Sequence, residues 1–368
     1  MNPMKPCFSD EDEQDLCLWI HGWGVSADIW RTAAESFPHF EHHYISFRDC
    51  QTVEEMIDAV RLLPEIAAAG RSRRRFHVIG WSMGGMLAID ASVGWLSNRA
   101  LGQTQKQTQK QIQKQTQKQT QYQIKEQIKE QIQNQARKVI EAQQNRTTKD
   151  VEVISSCVDF ADSAIGDKDR AKRSAADESM TNAELISVVL VGTTLSFVDD
   201  TGAAGWPKRI VERMRTRLLQ APEPVLHDFQ AKFWSASERG GADLQPVPAL
   251  SRQPLAAADF SPAGLNAGLA YLLQADLHEA WSRLRSTDIP VLWLHGAEDP
   301  LCPLRAQERA AAYRGRGKLA IRVIASAGHA PFLTARDRWN QELNAWFQHL
   351  SVGKEGAQHE TTPAFSDQ

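Results

Sequence analysis

Ser82 stands in Gly80-Trp81-Ser82-Met83-Gly84, with a glycine two places away on either side. A serine hydroxyl is a weak nucleophile near neutral pH. It attacks a carbonyl only when a base takes its proton and a third group holds that base in the right tautomer. Two later stretches offer such groups: Gly296-Ala297-Glu298-Asp299-Pro300-Leu301-Cys302-Pro303 and Ala327-Gly328-His329-Ala330-Pro331-Phe332. Ser82 as nucleophile, His329 as base and Asp299 as the orienting carboxylate would together perform acyl transfer through a covalent intermediate. Glu298 is the rival acid. Asp299 is preferred because it stands three residues after Gly296 and four before Pro303. Eight other histidines (His39, His42, His43, His77, His227, His278, His295 and His359) fall in polar loops, strand interiors, the helical middle of the chain or its tail. They are read as surface or packing residues.

The elements around these residues follow from hydropathy. Phe76, Val78 and Ile79 form a short apolar run, and Gly85-Met86-Leu87-Ala88-Ile89 opens a helix, so Ser82 is expected on a tight strand-to-helix turn. Small residues are needed at 80 and 84 because a Cβ there would collide with a neighbouring strand or helix. Leu16-Cys17-Leu18-Trp19-Ile20 reads as a buried parallel strand leading into His21-Gly22-Trp23-Gly24. The backbone N–H groups of Trp23 and Met83 would form an oxyanion hole, with His21 bracing the loop. Further strands are expected at 44–47, 185–194, 290–296 and 319–324. Helices are expected from 51 or 52 to 69, from the elbow to about 98, over 305–313 and over 336–350, with a loose polar tail beyond Val352. Ser82, Asp299 and His329 then lie at three strand ends, where functional loops of such sheets gather, in the chain order of the α/β-hydrolase fold.

From Phe197 to about Leu284 the pattern is helical, with prolines at 222, 224, 246 and 248 separating segments. Ile210, Met214 and Leu218 are read as sharing one face, as are Leu226, Phe229 and Phe233. Placed between two strands of one sheet, this stretch is expected to cap the site. Its Arg209, Arg213, Arg215, Arg217 and Lys232 read as a solvated face, or as a docking face for an acidic partner.

Between the nucleophile helix and Leu185 the composition breaks. Residues 103–121 repeat Gln-Thr-Gln-Lys, and isoleucines recur every fourth residue from Ile124 to Ile132. On a helix that stripe drifts about 40° per step, which suits a long solvated helix or a disordered tract better than a heptad coiled coil. The expected division is an acidic leader (1–15), a first core part (16–100), the insertion (101–183), a core strand (184–197), the cap (198–284), a last core part (285–352) and a tail (353–368).

At 368 residues, 42% hydrophobic and 24% charged with a net charge of −3, the chain has no excess of basic charge to suit bulk nucleic-acid binding. Its cysteines (7, 17, 50, 157 and 302) are odd in number and widely spaced, which argues for reduced thiols and against a disulfide scaffold or zinc site. Neither a secretion signal nor an apolar run long enough for a membrane span is evident. A cytoplasmic protein without metal or cofactor is the expectation.

Leu18-Trp19-Ile20-His21-Gly22-Trp23-Gly24 with Trp30, the Gly80–Gly85 elbow, Gly296–Pro303 and Gly328-His329-Ala330-Pro331-Phe332 together resemble the BioH family, the pimeloyl-[acyl-carrier protein] methyl ester esterases of biotin synthesis. The likeness covers roughly 16–98 and 185–350. It implies an α/β-hydrolase fold with a mostly parallel sheet flanked by helices. It also implies a Ser82–His329–Asp299 triad, oxyanion donors at Trp23 and Met83, an acyl channel lined by Trp23, Trp81 and Phe332, and an ester substrate carried on acyl carrier protein. The chain ahead of Leu16 is shorter than usual for that family, so an edge strand there is expected to be missing. The family's carrier-binding arginines do not map one by one onto the cap. The alternatives are a general short-chain esterase, a menaquinone-pathway-like lyase of the same fold, or a non-catalytic interaction protein built around the Gln/Lys insertion.

Overall fold

In the computed structural model, the residues described are 14–68, 74–97, 183–240 and 260–358, with Asn134, Arg137 and Lys138. The chain divides into two units, residues 1–95 with 178–368, and residues 96–177. The acidic leader and nearly all of the Gln/Lys insertion, with the readings made of them, lie outside the described residues.

The first unit is built on a sheet of six parallel strands, ordered β2-β1-β3-β4-β5-β6. They are β1 (Leu16–Ile20), β2 (Glu41–Ile45), β3 (Arg74–Trp81), β4 (Ala183–Val191), β5 (Val291–Gly296) and β6 (Leu319–Ile324). β1 and β5 are buried along their whole length, as apolar runs covered by helices on both faces must be. β2 differs from the expected 44–47. It is an edge strand that opens on half-buried polar residues, so only pairing with β1, which runs from Leu16↔Glu41 to Ile20↔Ile45, marks Glu41-His42-His43 as strand. His42 fits this edge because the indole N–H of Trp19 donates to its Nδ1 at 3.0 Å, while its Nε2–H donates to the Phe37 carbonyl at 3.0 Å. β4 stops at Val191, three residues short of expectation, because Gly192 turns out of the sheet with φ of 48°.

The helices are α1 (Arg31–Ala34), α2 (Val53–Ala68), α3 (residues 83–97), α4 (Lys208–Leu218), α5 (Pro222–Gln230), α6 (Ala236–Gly240), α7 (Pro262–Gln274), α8 (His278–Arg285), α9 (Leu304–Ala311), α10 (Pro331–Thr334) and α11 (Arg336–Gln358). A capping box starts α2: the Thr52 hydroxyl accepts the Glu55 N–H at 3.2 Å, and the Glu55 carboxylate accepts the Thr52 N–H at 3.3 Å. α11 runs past Val352 to Gln358, where a loose tail was expected. Lys354, Glu355 and Ala357 are good helix formers, and the isolated glycines at 353 and 356 do not end the helix.

Helices α4 to α7 lie in the long connection between β4 and β5. α8 belongs with the sheet: the Trp281 indole donates to the Ala310 carbonyl at 3.0 Å, and its ring meets Trp293 of β5 at 5.3 Å. One reading of the cap needs correcting. The buried positions of α4 are Val211 and Leu218, and Ile210 is exposed. α4 packs on α7 through a narrow stripe, reinforced where Arg215 donates to Asn266 at 2.8 Å, and that stripe runs one residue away from the Ile210–Met214 row. In α5, Leu226 and Phe229 are buried, as is Phe233 just beyond it.

The turn entering the cap carries an acid-sensitive anchor. Asp199 accepts the N–H and hydroxyl of Thr201 (2.9 and 2.6 Å), the N–H of Ala204 (3.0 Å) and a guanidinium N–H of Arg309 in α9 (3.1 Å). These bonds, the Thr201 hydroxyl's first, pull its pKa down to about 2. A carboxyl whose folded pKa is depressed adds stability that is fully present above its unfolded pKa, near 3.9, and is lost as pH falls through the folded value. Asp199→Asn should therefore cost stability at pH 5 and cost progressively less as pH falls from about 4 toward 2. Urea unfolding of both proteins across that range checks it; a difference that stays constant with pH would refute it.

Candidate active site

β3 ends at Trp81, and Ser82 follows with φ of 56° in the left-handed region that a residue with a Cβ rarely occupies. The strain is held by neighbours. The Ser82 N–H donates to the Val191 carbonyl at 2.9 Å, and the Ser82 carbonyl accepts the N–H groups of Gly85 (2.9 Å) and Met86 (3.2 Å) and the Thr193 hydroxyl (2.7 Å). A methyl on Gly80 would strike the backbone of Gly84 and Gly85, and one on Gly84 would strike the carbonyls of Ile20 and His21. That close packing is what turns the chain sharply enough to present Ser82.

The loop after β1 lies against the nucleophile: a Cβ on Gly22 would sit 3.1 Å from that of Ser82. Gly24, with φ of 74°, makes the bend, and its carbonyl accepts the Gln230 amide at 2.7 Å. Trp23 is buried; its indole donates to the Leu265 carbonyl at 2.9 Å, and its ring meets Phe229 edge-on at 4.9 Å. His21 packs on Phe47 and Phe260 beneath this loop. Met83 is the first residue of α3, so its N–H has no carbonyl one turn earlier to bond.

Asp299 follows β5 and His329 follows β6. The His329 Nδ1–H donates to Asp299 Oδ2 at 2.8 Å, and Asp299 Oδ1 accepts the N–H groups of Leu301 and Cys302, both at 2.9 Å. Both side chains are sequestered from solvent, so this bond is not screened. With its proton on Nδ1, the ring is left with Nε2 open; that atom is buried without a hydrogen-bond partner among the described residues. Glu298 points elsewhere: it is exposed and takes the Ser237 hydroxyl at 2.7 Å, a bond that holds its carboxyl below the usual range. His295 was read as packing and it is buried, donating from Nε2 to the Cys302 carbonyl at 2.6 Å with that nitrogen 3.6 Å from Asp299 Oδ2. Burial keeps its imidazole below its ordinary pKa. The Cys302 thiol is pushed well up by burial and then by the Asp299 charge, so it offers no thiolate to compete as nucleophile.

Trp81 and Phe332, expected along a channel, are buried in an aromatic cluster. The Trp81 indole donates to the His329 carbonyl at 2.7 Å, and its ring lies 5.1 Å from both His329 and Phe233. Phe332 stacks on Trp30 at 4.2 Å and meets Trp81 at 5.3 Å. A second Ser–His–Asp alignment lies toward the other end of β3. Ser187 Oγ is 2.8 Å from His77 Nδ1, and His77 Nε2 is 3.6 Å from Asp15. Ser187 sits fully buried inside β4, without a positive φ, and accepts the Trp346 indole N–H at 3.2 Å. This alignment ties strands to α11 and presents no nucleophile. Among the described residues, no cluster of His, Cys, Asp and Glu is placed to hold a metal ion.

The parallel sheet, the strand order and the strand-end loops define an α/β-hydrolase fold. Solved structures of that architecture superpose on the chain. They include an esterase from Exiguobacterium antarcticum (TM-score 0.56, 14% identity, 91% of this chain and 92% of that one) and MenH from S. aureus (TM-score 0.53, 12% identity, 93% and 97%). In sequence, the chain resembles curated pimeloyl-[acyl-carrier protein] methyl ester esterases. It is 33% identical over 153 residues to that of Aromatoleum aromaticum, covering 40% of this chain and 58% of the relative. With that of Xanthomonas oryzae pv. oryzae it shares 26% over 167 residues, 44% of this chain and 62% of the relative. The chain thus spans less than two thirds of the curated relatives it matches. No family model matches it.

Proposed function

We propose that the chain is a serine carboxylesterase that hydrolyses the methyl ester of a pimeloyl chain carried on acyl carrier protein. The observation that carries the reading is the Asp299–His329 bond of 2.8 Å, buried at the ends of β5 and β6, with Ser82 held on the strained turn at the end of β3. His329 Nε2 takes the Ser82 hydroxyl proton as Oγ attacks the ester carbonyl. The N–H groups of Trp23 and Met83 receive the oxyanion. The tetrahedral intermediate collapses, methanol leaves with the proton from His329, and an acyl-Ser82 remains. Water, deprotonated by the same imidazole, attacks it to release the free carboxylate and restore Ser82. Asp299 stays ionised throughout and stabilises the imidazolium that forms in each step. Trp23, Trp81 and Phe332, buried beside the site, are the aromatic residues assigned to the acyl chain. Lys208, Arg209 and Arg213 are exposed on α4 and give the cap a cationic outer side that suits an acidic carrier.

The test supplies purified protein with the methyl ester of pimeloyl-acyl carrier protein and, in parallel, with a short p-nitrophenyl ester. Methanol release from the carrier-bound ester is the expected result. Turnover of the small ester alone would remove the carrier substrate and leave a general esterase; turnover of neither would remove the esterase reading.

A further inference from the structure

The loop that carries His329 is gripped from the cap, and the grip centres on a buried carboxylate. Glu238 is 6% exposed, and no cation pairs with it among the described residues. Its charge is offset by three donors. Oε2 accepts the Ser235 N–H at 2.6 Å, while Oε1 accepts the Gly328 N–H at 2.9 Å and the Thr334 hydroxyl at 2.5 Å. The first of these, with the Glu238 N–H donating to the Ser235 hydroxyl at 3.0 Å, is an ordinary capping box for α6. The other two are not local. They reach across the fold to the residue before His329 and to the helix after it, and an uncharged apolar side chain could not satisfy those donors.

Three further observations converge on the same loop. Ser326 has φ of 58°, and it and Ser82 are the only non-glycine residues with positive φ among those described. Its carbonyl accepts the hydroxyl of Ser235, the other half of the capping box, at 3.2 Å. A methyl on Gly328 would meet the Glu238 carboxylate and the Phe233 carbonyl at 2.5 Å, so the cap leaves room only for glycine beside His329. Finally, the His329 N–H donates to the Phe233 carbonyl at 2.8 Å, so the backbone of His329 is held from the cap on one side and by the Trp81 indole on the other.

We propose that Glu238, acting with Ser235, is a positioning residue that sets the orientation of His329 from the cap. The proposal takes the reading of His329 as general base from the proposed function. Glu238 touches no reacting atom: it fixes the backbone from which the imidazole projects, and so the direction of Nε2. Misplacing a catalytic group by about 1 Å costs on the order of 10²-fold in rate. Such a cost falls on kcat, because binding of the ester does not use the direction of Nε2.

The experiment compares full-length wild type with Glu238→Ala, Glu238→Gln and Thr334→Val on a p-nitrophenyl ester. It also records the downfield imidazole Nδ1–H proton of His329 by NMR. Glu238→Ala is expected to lower kcat about 10- to 100-fold with KM within about twofold, and to shift or broaden that proton. Glu238→Gln should recover part of the loss because its remaining carbonyl oxygen can still take the Gly328 N–H. If Glu238→Ala does not fold, Glu238→Gln and Thr334→Val carry the test, with smaller losses in kcat alone. Unchanged kcat with an unmoved proton resonance in a folded variant overturns the proposal, and so does a loss confined to KM. A wild type that turns over no ester overturns the esterase reading instead; the proton resonance still reports whether Glu238 orients the ring.

Discussion

Ser82→Ala is expected to lower ester turnover by about 10⁵- to 10⁶-fold, the scale on which removing a serine nucleophile disables such a triad. The fold should survive. Ser82 Oγ makes no hydrogen bond with the described residues, so its loss strands no buried partner. Everything that holds residue 82 at φ of 56° acts on its backbone: the Val191 carbonyl, the N–H groups of Gly85 and Met86, and the Thr193 hydroxyl. Alanine meets the same left-handed penalty as serine, so the turn is no more strained in the variant. p-Nitrophenol release and a thermal melt followed by circular dichroism check both halves. A folded variant that keeps more than about 1% of turnover would remove Ser82 from the role of nucleophile.

How much of this is legible in the sequence depends on how local the determining physics is. β1 and β6 are readable to the residue: Leu16–Ile20 has no alternative to burial on both faces of a parallel sheet, while β6, a partly exposed edge strand, is marked by its β-branched Ile321, Val323 and Ile324. The elbow is readable because the need for glycine at 80 and 84 is a local steric demand. β2 is not, since Glu41-His42-His43 becomes a strand only through its pairing with β1. The buried row of α4 is misread for a related reason: Val211 and Ile210 are equally apolar, and only the position of α7 decides which is covered. At the site, the choice of Asp299 over Glu298 rests in the sequence on spacing alone, whereas in the structure one faces His329 and the other Ser237. Glu238 goes unread in the sequence. That its carboxylate serves Gly328 and Thr334 depends on contacts some 90 residues apart in sequence, for which no local pattern exists.

The choice between the two acids leads to the second large expectation. Asp299→Asn should lower kcat by about 10⁴-fold without unfolding the protein. The argument is one of proton count. Oδ1 of residue 299 receives two N–H donors, from Leu301 and Cys302 at 2.9 Å, so an asparagine must place its carbonyl oxygen there and its NH₂ where Oδ2 was. That NH₂ then faces Nδ1 of His329 across 2.8 Å, and two donors cannot share the contact. The imidazole is driven to the other tautomer, with its proton on Nε2, and the nitrogen required as base is blocked. The ring stays in place, since its backbone is held by the Phe233 carbonyl and the Trp81 indole. Glu298→Gln gives the contrast. That side chain is exposed and its bonds run to the serines at the start of α6, chiefly Ser237, and away from His329, so kcat should stay within about twofold. Measuring kcat for both variants on one ester separates the assignments: a large loss in Glu298→Gln with Asp299→Asn near wild type would reverse them. Equal, small losses in both would mean that His329 does not depend on a carboxylate for its tautomer.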